Sequence, residues 1–154
     1  MIEVYPNLWV GNQQDYESVK HEDMFFVLAA KEPWHREELG YTSRGAPKDE
    51  DYFFALRGNR LILNLVDAQE VKYIPSIVID KALGFIEKHI KEGRVGIFCN
   101  EGRSRSPSIA FLYLLKLGVV KTNDDFLKLF PAYDPGKGMR DFVDLAIFSR
   151  GLHI

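Results

Sequence analysis

The chain reads as an α/β protein: a single domain whose central, mainly parallel sheet of four to five strands is flanked by helices on both faces. Three observations lead there. Apolar, partly β-branched runs of strand length recur at 8–11 (LWVG), 24–30 (MFFVLAA), 60–65 (RLILNL) and 94–98 (RVGIF). Between the last two, Ile79, Leu83, Ile86 and Ile90 repeat at helical spacing. The length, 154 residues, suits about one domain with a core of two or three layers, so 1–154 is taken as one unit. Strands that alternate with helices tend to pair in parallel, and in such folds ligands gather at the carboxyl ends of the strands.

Taken in order, the strand at 8–11 is followed by the apolar run at 24–30 and then by a segment with a different character. Residues 40–51, GYTSRGAPKDED, combine Gly, Pro, Ser and charge and read as a long surface loop. The wider stretch 31–60, with Pro33, Trp34 and His35, exceeds a short connection and is expected to shape one wall of a site. Trp34 fits core packing as well as a substrate platform. After the strand at 60–65, Pro75 precedes a helix over 76–91, with Gly93 where it would end. Residues 106–117 are apolar almost all round before Gly118, which predicts a central buried helix too short to span a bilayer. Thr122 and Asp125 have capping-box spacing for a helix that Pro131 closes, and Met139, Phe142, Val143 and Ala146 mark a last helix.

Composition narrows the classes of function. Formal charge is −2, so no global basic field draws the chain to nucleic acid or anionic lipid, and any anion site must be local. No segment approaches the run of about 20 apolar residues that a membrane span needs, and MIEVYPNLWVG lacks the pattern of a signal peptide. One cysteine excludes an internal disulfide, which makes a reducing, cytoplasmic setting the expectation. The four histidines, His21, His35, His89 and His153, show no metal-ligand spacing, so neither a metal nor another cofactor is expected.

That one cysteine stands in VGIFCNEGRSRSPSIAFLYLLKLG, residues 95–118, where a buried strand turns into a helix. Backbone N–H groups of a tight, Gly-containing loop can converge on one point, and the first turn of the following helix adds unpaired donors and positive potential. A phosphate fits there. Arg105, at the helix start, offers a planar fork to two phosphate oxygens. Cys99 in the same field is favoured as thiolate, the nucleophilic form. Free cysteines are otherwise commonly buried and inert, so the residue alone carries little. Gly, Arg and Ser at the third, sixth and seventh positions after it coincide by chance in about one case in four thousand at average usage. Glu101 opposes an anion and is expected to point to solvent. Asp67, after the strand at 60–65, belongs to the same edge and could protonate a leaving oxygen, although an Asp there serves equally as a turn or cap residue.

These residues resemble the dual-specificity branch of the cysteine-dependent protein tyrosine phosphatases, whose signature is C-x-x-G-x-x-R-[ST] after an apolar strand. Here it reads Cys99-Asn100-Glu101-Gly102-Arg103-Ser104-Arg105-Ser106. ILNLVD, VGIF and SPSIAFLYLL fall in the family's order, so the resemblance covers most of the chain and implies a protein tyrosine phosphatase-like fold. It implies that Cys99 is the nucleophile, that Asn100, Glu101, Gly102, Arg103 and Ser104 form the phosphate-binding loop with Arg105 as the catalytic arginine, and that Ser106 hydrogen-bonds the thiolate and helps it depart. It also implies that Asp67, 32 residues before Cys99, is the general acid. Phe98 departs from the family, which usually has His there; the thiol is therefore expected to be less acidic than in relatives, and Phe98→His to lower its pKa.

The activity implied is hydrolysis of phosphotyrosine, and more broadly phosphoserine or phosphothreonine, in a phosphorylated protein or peptide, through a cysteinyl-phosphate. Similar loops also serve phosphoinositides and the 5′-triphosphate of RNA, but with only Arg103, Lys137 and Arg140 as nearby cations the chain gives RNA little support. A module that binds a phosphorylated partner without turning it over is the remaining alternative.

Overall fold

A computed structural model describes residues 1–151 of the chain; His153 lies outside them. Six strands form one sheet, β1 (Ile2–Tyr5), β2 (Leu8–Gly11), β3 (Phe25–Leu28), β4 (Phe54–Arg57), β5 (Arg60–Leu63) and β6 (Val95–Phe98), in the order β1-β2-β6-β3-β5-β4. The inner four, β2, β6, β3 and β5, are parallel, as the alternation of strands and helices predicts. The expected count of four to five strands is corrected to six, and the sheet is mixed, because each edge carries an antiparallel strand. Two-residue turns at Pro6–Asn7 and Gly58–Asn59 make those edges, and a chain that reverses so tightly can only pair antiparallel.

Helices cover both faces. On one side lie α3 (Ser76–His89), α4 (Arg105–Leu117), α5 (Asn123–Leu129) and α6 (Lys137–Gly151); on the other lie α1 (Gln13–Val19), an irregular helical turn at Lys31–His35 and the short α2 (Arg36–Leu39). Side-chain alternation along the strands sorts the core accordingly. Val27, Ala29, Leu61, Leu63, Val95, Ile97 and Cys99 join the large cluster around α3 and α4, whereas Phe26, Leu28, Ile62 and Phe98 join a smaller one with Tyr16 and Trp34. Every residue of α4 from Ser106 to Leu115 is buried, which is why its sequence is apolar all round. Among the described residues no helix is long and apolar enough to cross a membrane.

The predicted capping box is present: Thr122 Oγ1 accepts from the Asp125 N–H at 3.1 Å, and Asp125 Oδ2 from the Thr122 N–H at 3.2 Å. Asn12 and Asp15 make a second, unanticipated box for α1, at 2.8 and 2.9 Å. Residues 40–51 are irregular, as their composition suggests. The equal register of β2, β6 and β3, with Gly11, Phe98 and Leu28 side by side, brings three strand ends to one edge. Cys99 is the next residue beyond it.

Candidate active site

Beyond that edge the chain makes a loop over 100–104 and enters α4 at Arg105. Gly102 permits the bend: its φ is 74°, and a Cβ there would come within 3.0 Å of the Gly11 and Asn12 backbone. The loop is therefore pressed against the end of β2. Among the described residues none of the backbone N–H groups of 100–105 donates to a protein acceptor, while the next one, of Ser106, donates to Cys99 Sγ at 3.3 Å. The result is a cluster of free donors at the start of a 13-residue helix, the arrangement that binds an anion.

Cys99 sits at the floor of this cleft, buried at 2 % exposure. The Ser106 N–H donates to the sulfur, and Ser106 Oγ lies 3.2 Å from Sγ while donating its proton to Gly11 O at 3.1 Å, which leaves the oxygen free to accept from the thiol. Arg105 is aimed by two acceptors: its Nη1 donates to Leu65 O at 3.0 Å, and its Nη2 to Asn100 Oδ1. Its Nε is buried and has no partner among the described residues, which leaves a cationic donor to be satisfied at the cleft. Asn100 in turn donates through Nδ2 to Gln13 Oε1 at 3.0 Å and Glu32 O at 2.9 Å, tying the loop to α1 and to the 31–35 turn.

Asp67 lines the same cleft, of about 470 Å³, with Cys99, Arg103 and Arg105. Ser104 Oγ donates to Asp67 Oδ1 at 2.9 Å and accepts from the Gly136 N–H at 2.9 Å, so a loop hydroxyl holds the carboxylate in place. Residue 136 must be small here, since a Cβ would stand 2.7 Å from Asp67 Oδ1. Glu101 is exposed and paired with Arg103 at 2.7 Å, pointing outward as its charge requires. Thus Cys99, Arg105 and Asp67 meet in one cleft that Asn100, Glu101, Arg103 and Ser104 also line, and Ser106, fully buried, stands behind Cys99, bonded to its sulfur.

The wall differs from expectation. Residues 31–60 do not line the cleft; that segment supports it from behind, through Glu32 O and through the Lys31 N–H, which donates to Leu65 O at 2.9 Å, and Trp34 is core, packed edge-on against Tyr16 at 5.5 Å. The wall is Asp134, Pro135 and Gly136. Tyr133 anchors it: the ring packs edge-on against Phe111 and Phe126, the hydroxyl meets Ser108 Oγ at 2.8 Å, and burial pushes its pKa up to about 12. The Asp134 N–H donates to Arg103 O at 2.9 Å and the Gly138 N–H to Ala68 O at 3.0 Å. A turn written PAYDPGKG carries no chemical signature, and its place at the cleft follows only from how α4 and α6 pack.

Phe98 is fully buried on the other face of the sheet, with ring centroids 5.7 Å from Tyr16 and 6.2 Å from Phe26. Its ring contributes packing there and no hydrogen bond, while its backbone O accepts from the Ala29 N–H at 2.7 Å.

No protein-family model matches the sequence, and comparison with curated proteins found no match. Solved structures do match. Human DUSP28 has a TM-score of 0.69 at 14% identity, covering 100% of both chains. A leucine rich repeat and phosphatase domain containing protein from Entamoeba histolytica has 0.66 at 15%, covering 96% of this chain and 90% of its own. PTPMT1, solved in complex with PI(5)P, has 0.60 at 13%, covering 97% of each. At such identities the likeness speaks for architecture, and it does so over nearly the whole length: the chain has the fold of the dual-specificity phosphatases.

Proposed function

We propose that the chain hydrolyses phosphate monoesters on proteins, phosphotyrosine first and phosphoserine or phosphothreonine more broadly, through a cysteinyl-phosphate. The observation that carries this reading is the Cys99 thiol at the floor of a cleft whose loop amides, and the Nε of Arg105 beside it, have no acceptor among the described residues. A phosphoryl group bound by those donors has its phosphorus presented to Sγ. Attack by the thiolate forms the S–P bond as the P–O bond to the substrate breaks, and Asp67 supplies the proton that makes the departing oxygen an alcohol or phenol. Loop amides and Arg105 stabilise the equatorial oxygens throughout. Asp67, now a carboxylate, then takes a proton from the water that attacks phosphorus; the S–P bond breaks, and the Ser106 N–H, joined by the hydroxyl once it turns from Gly11 O, donates to the released thiolate. Inorganic phosphate leaves.

A phosphoinositide is the second reading, favoured by the likeness to PTPMT1 with its bound PI(5)P. The first experiment is the pH profile of p-nitrophenyl phosphate hydrolysis in chelator-treated buffer by wild type, Cys99→Ser and Asp67→Asn. Turnover that vanishes in Cys99→Ser and loses its alkaline fall in Asp67→Asn is the expected result. No turnover by wild type would make the chain a phosphate-reading module instead.

A further inference from the structure

We propose that Asp134 makes the cleft select a phosphorylated residue that has an arginine or lysine beside it in the peptide; this inference rests on the reading above. Asp134 is exposed and lines the cleft, and among the described residues its carboxylate has no hydrogen-bond or ion-pair partner. The nearby cations are engaged elsewhere. Lys137 pairs with Asp141 at 3.0 Å, Arg140 donates to Pro135 O at 3.2 Å, and Arg103 pairs with Glu101.

The backbone that carries this carboxylate is held in place. Its own N–H is fixed to the phosphate loop, and its neighbours Tyr133 and Gly136 are fixed to α4 and to Ser104. A charge on so anchored a backbone loses little freedom on meeting a partner.

Charge around the cleft is layered. Cationic donors lie at the floor, where Arg105 and the loop amides serve one phosphoryl group. The lining as a whole has Arg103 and Arg105 against Asp67, Glu101 and Asp134. A second phosphate on the ligand, farther out, would face the unpaired Asp134 carboxylate and be repelled, whereas a guanidinium or ammonium would be attracted. The layering favours a singly phosphorylated basic peptide over a phosphoinositide or an RNA 5′-triphosphate, and it selects partly by exclusion.

The test is binding of labelled phosphotyrosine peptides with Arg, Ala or Glu at the flanking positions to Cys99→Ser protein, followed by fluorescence anisotropy, with the same ratios read in kcat/KM of the wild type. Arg-flanked peptides are expected to bind about three- to fivefold tighter than Ala-flanked ones, and Glu-flanked ones correspondingly weaker. Asp134→Asn should bring the ratios near one, Asp134→Lys should invert them, and high salt should shrink them. Equal affinities, a preference that survives Asp134→Asn, or tighter binding of phosphatidylinositol-phosphate vesicles or 5′-triphosphate RNA would each overturn the proposal. Wild-type turnover of p-nitrophenyl phosphate judges the phosphatase reading separately, because the peptide ratios on Cys99→Ser protein need no catalysis.

Discussion

Consecutive residues of one strand end serve the two faces of the sheet in opposite ways. Cys99 faces α4 and meets the hydroxyl and amide of Ser106; Phe98 faces α1 and packs among apolar side chains, the rings of Tyr16 and Phe26 among them. The first side contains the chemistry, held by hydrogen bonds to a loop. The second contains a small aromatic cluster of Tyr16, Phe26, Trp34 and Phe98 that keeps α1 and the 31–35 turn seated, and these two elements hold Asn100. Stability and turnover should therefore respond separately to substitutions one residue apart.

The sharpest way to break that contrast is Phe98→Ala. Emptying a fully buried ring site costs about 3–5 kcal/mol, a fall in Tm of about 10 °C or more for a chain of this size, while the fraction that stays folded should keep kcat near wild type. A large kcat loss in a well-folded Phe98→Ala protein would show that the faces are coupled. Next comes Arg105→Lys, which preserves charge but loses the fork shared by Leu65 O and Asn100. Turnover should fall about 10²–10³-fold with Tm little changed.

Gly136→Ala is a smaller probe of the chemical side. The added methyl must displace the Asp67 carboxylate, and about a tenfold drop in kcat is expected without a matching rise in KM. The smallest effect belongs to the aromatic side, where His35 is fully buried with Nδ1 3.0 Å from the Tyr41 hydroxyl and Nε2 2.8 Å from Asp51 O. Burial holds its pKa below the ordinary value of 6.5, against the raising influence of Asp51. Below pH 6.5 the unfolded chain takes up a proton that folded His35 refuses, so stability declines as pH falls, at most by about 1.4 kcal/mol per pH unit, until the folded pKa is passed. Chemical denaturation of wild type and His35→Gln from pH 7.5 to 5 should show the extra slope in wild type alone.

The contrast also explains what could be read from the sequence. The inner strands and helices α3, α4 and α6 are long or strongly apolar, so periodicity marks them within a few residues, and the helix expected over 76–91 spans Ser76–His89; α5, seven residues with Phe126 alone buried, is marked by its capping box instead. The edge strands FALR and IEVY are half exposed and short, and α1 buries only Tyr16 and Val19, so none carries a repeating stripe. Signals existed nonetheless: Gly58–Asn59 is a hairpin dipeptide, and Asn12 with Asp15 has the spacing of a cap. In the site, Cys99, Arg105 and Ser106 are legible because one short loop contains them all. Asp67 is legible from its strand end, whereas Asp134 and Gly136 are brought in by tertiary packing alone.

Cys99 is the chain's single thiol and lies at the bottom of its cleft. Any maleimide or iodoacetamide label is thereby site-directed without mutagenesis: its stoichiometry counts intact clefts, protection from it reports occupancy, and small reagents should outpace bulky ones to the extent that the mouth is narrow.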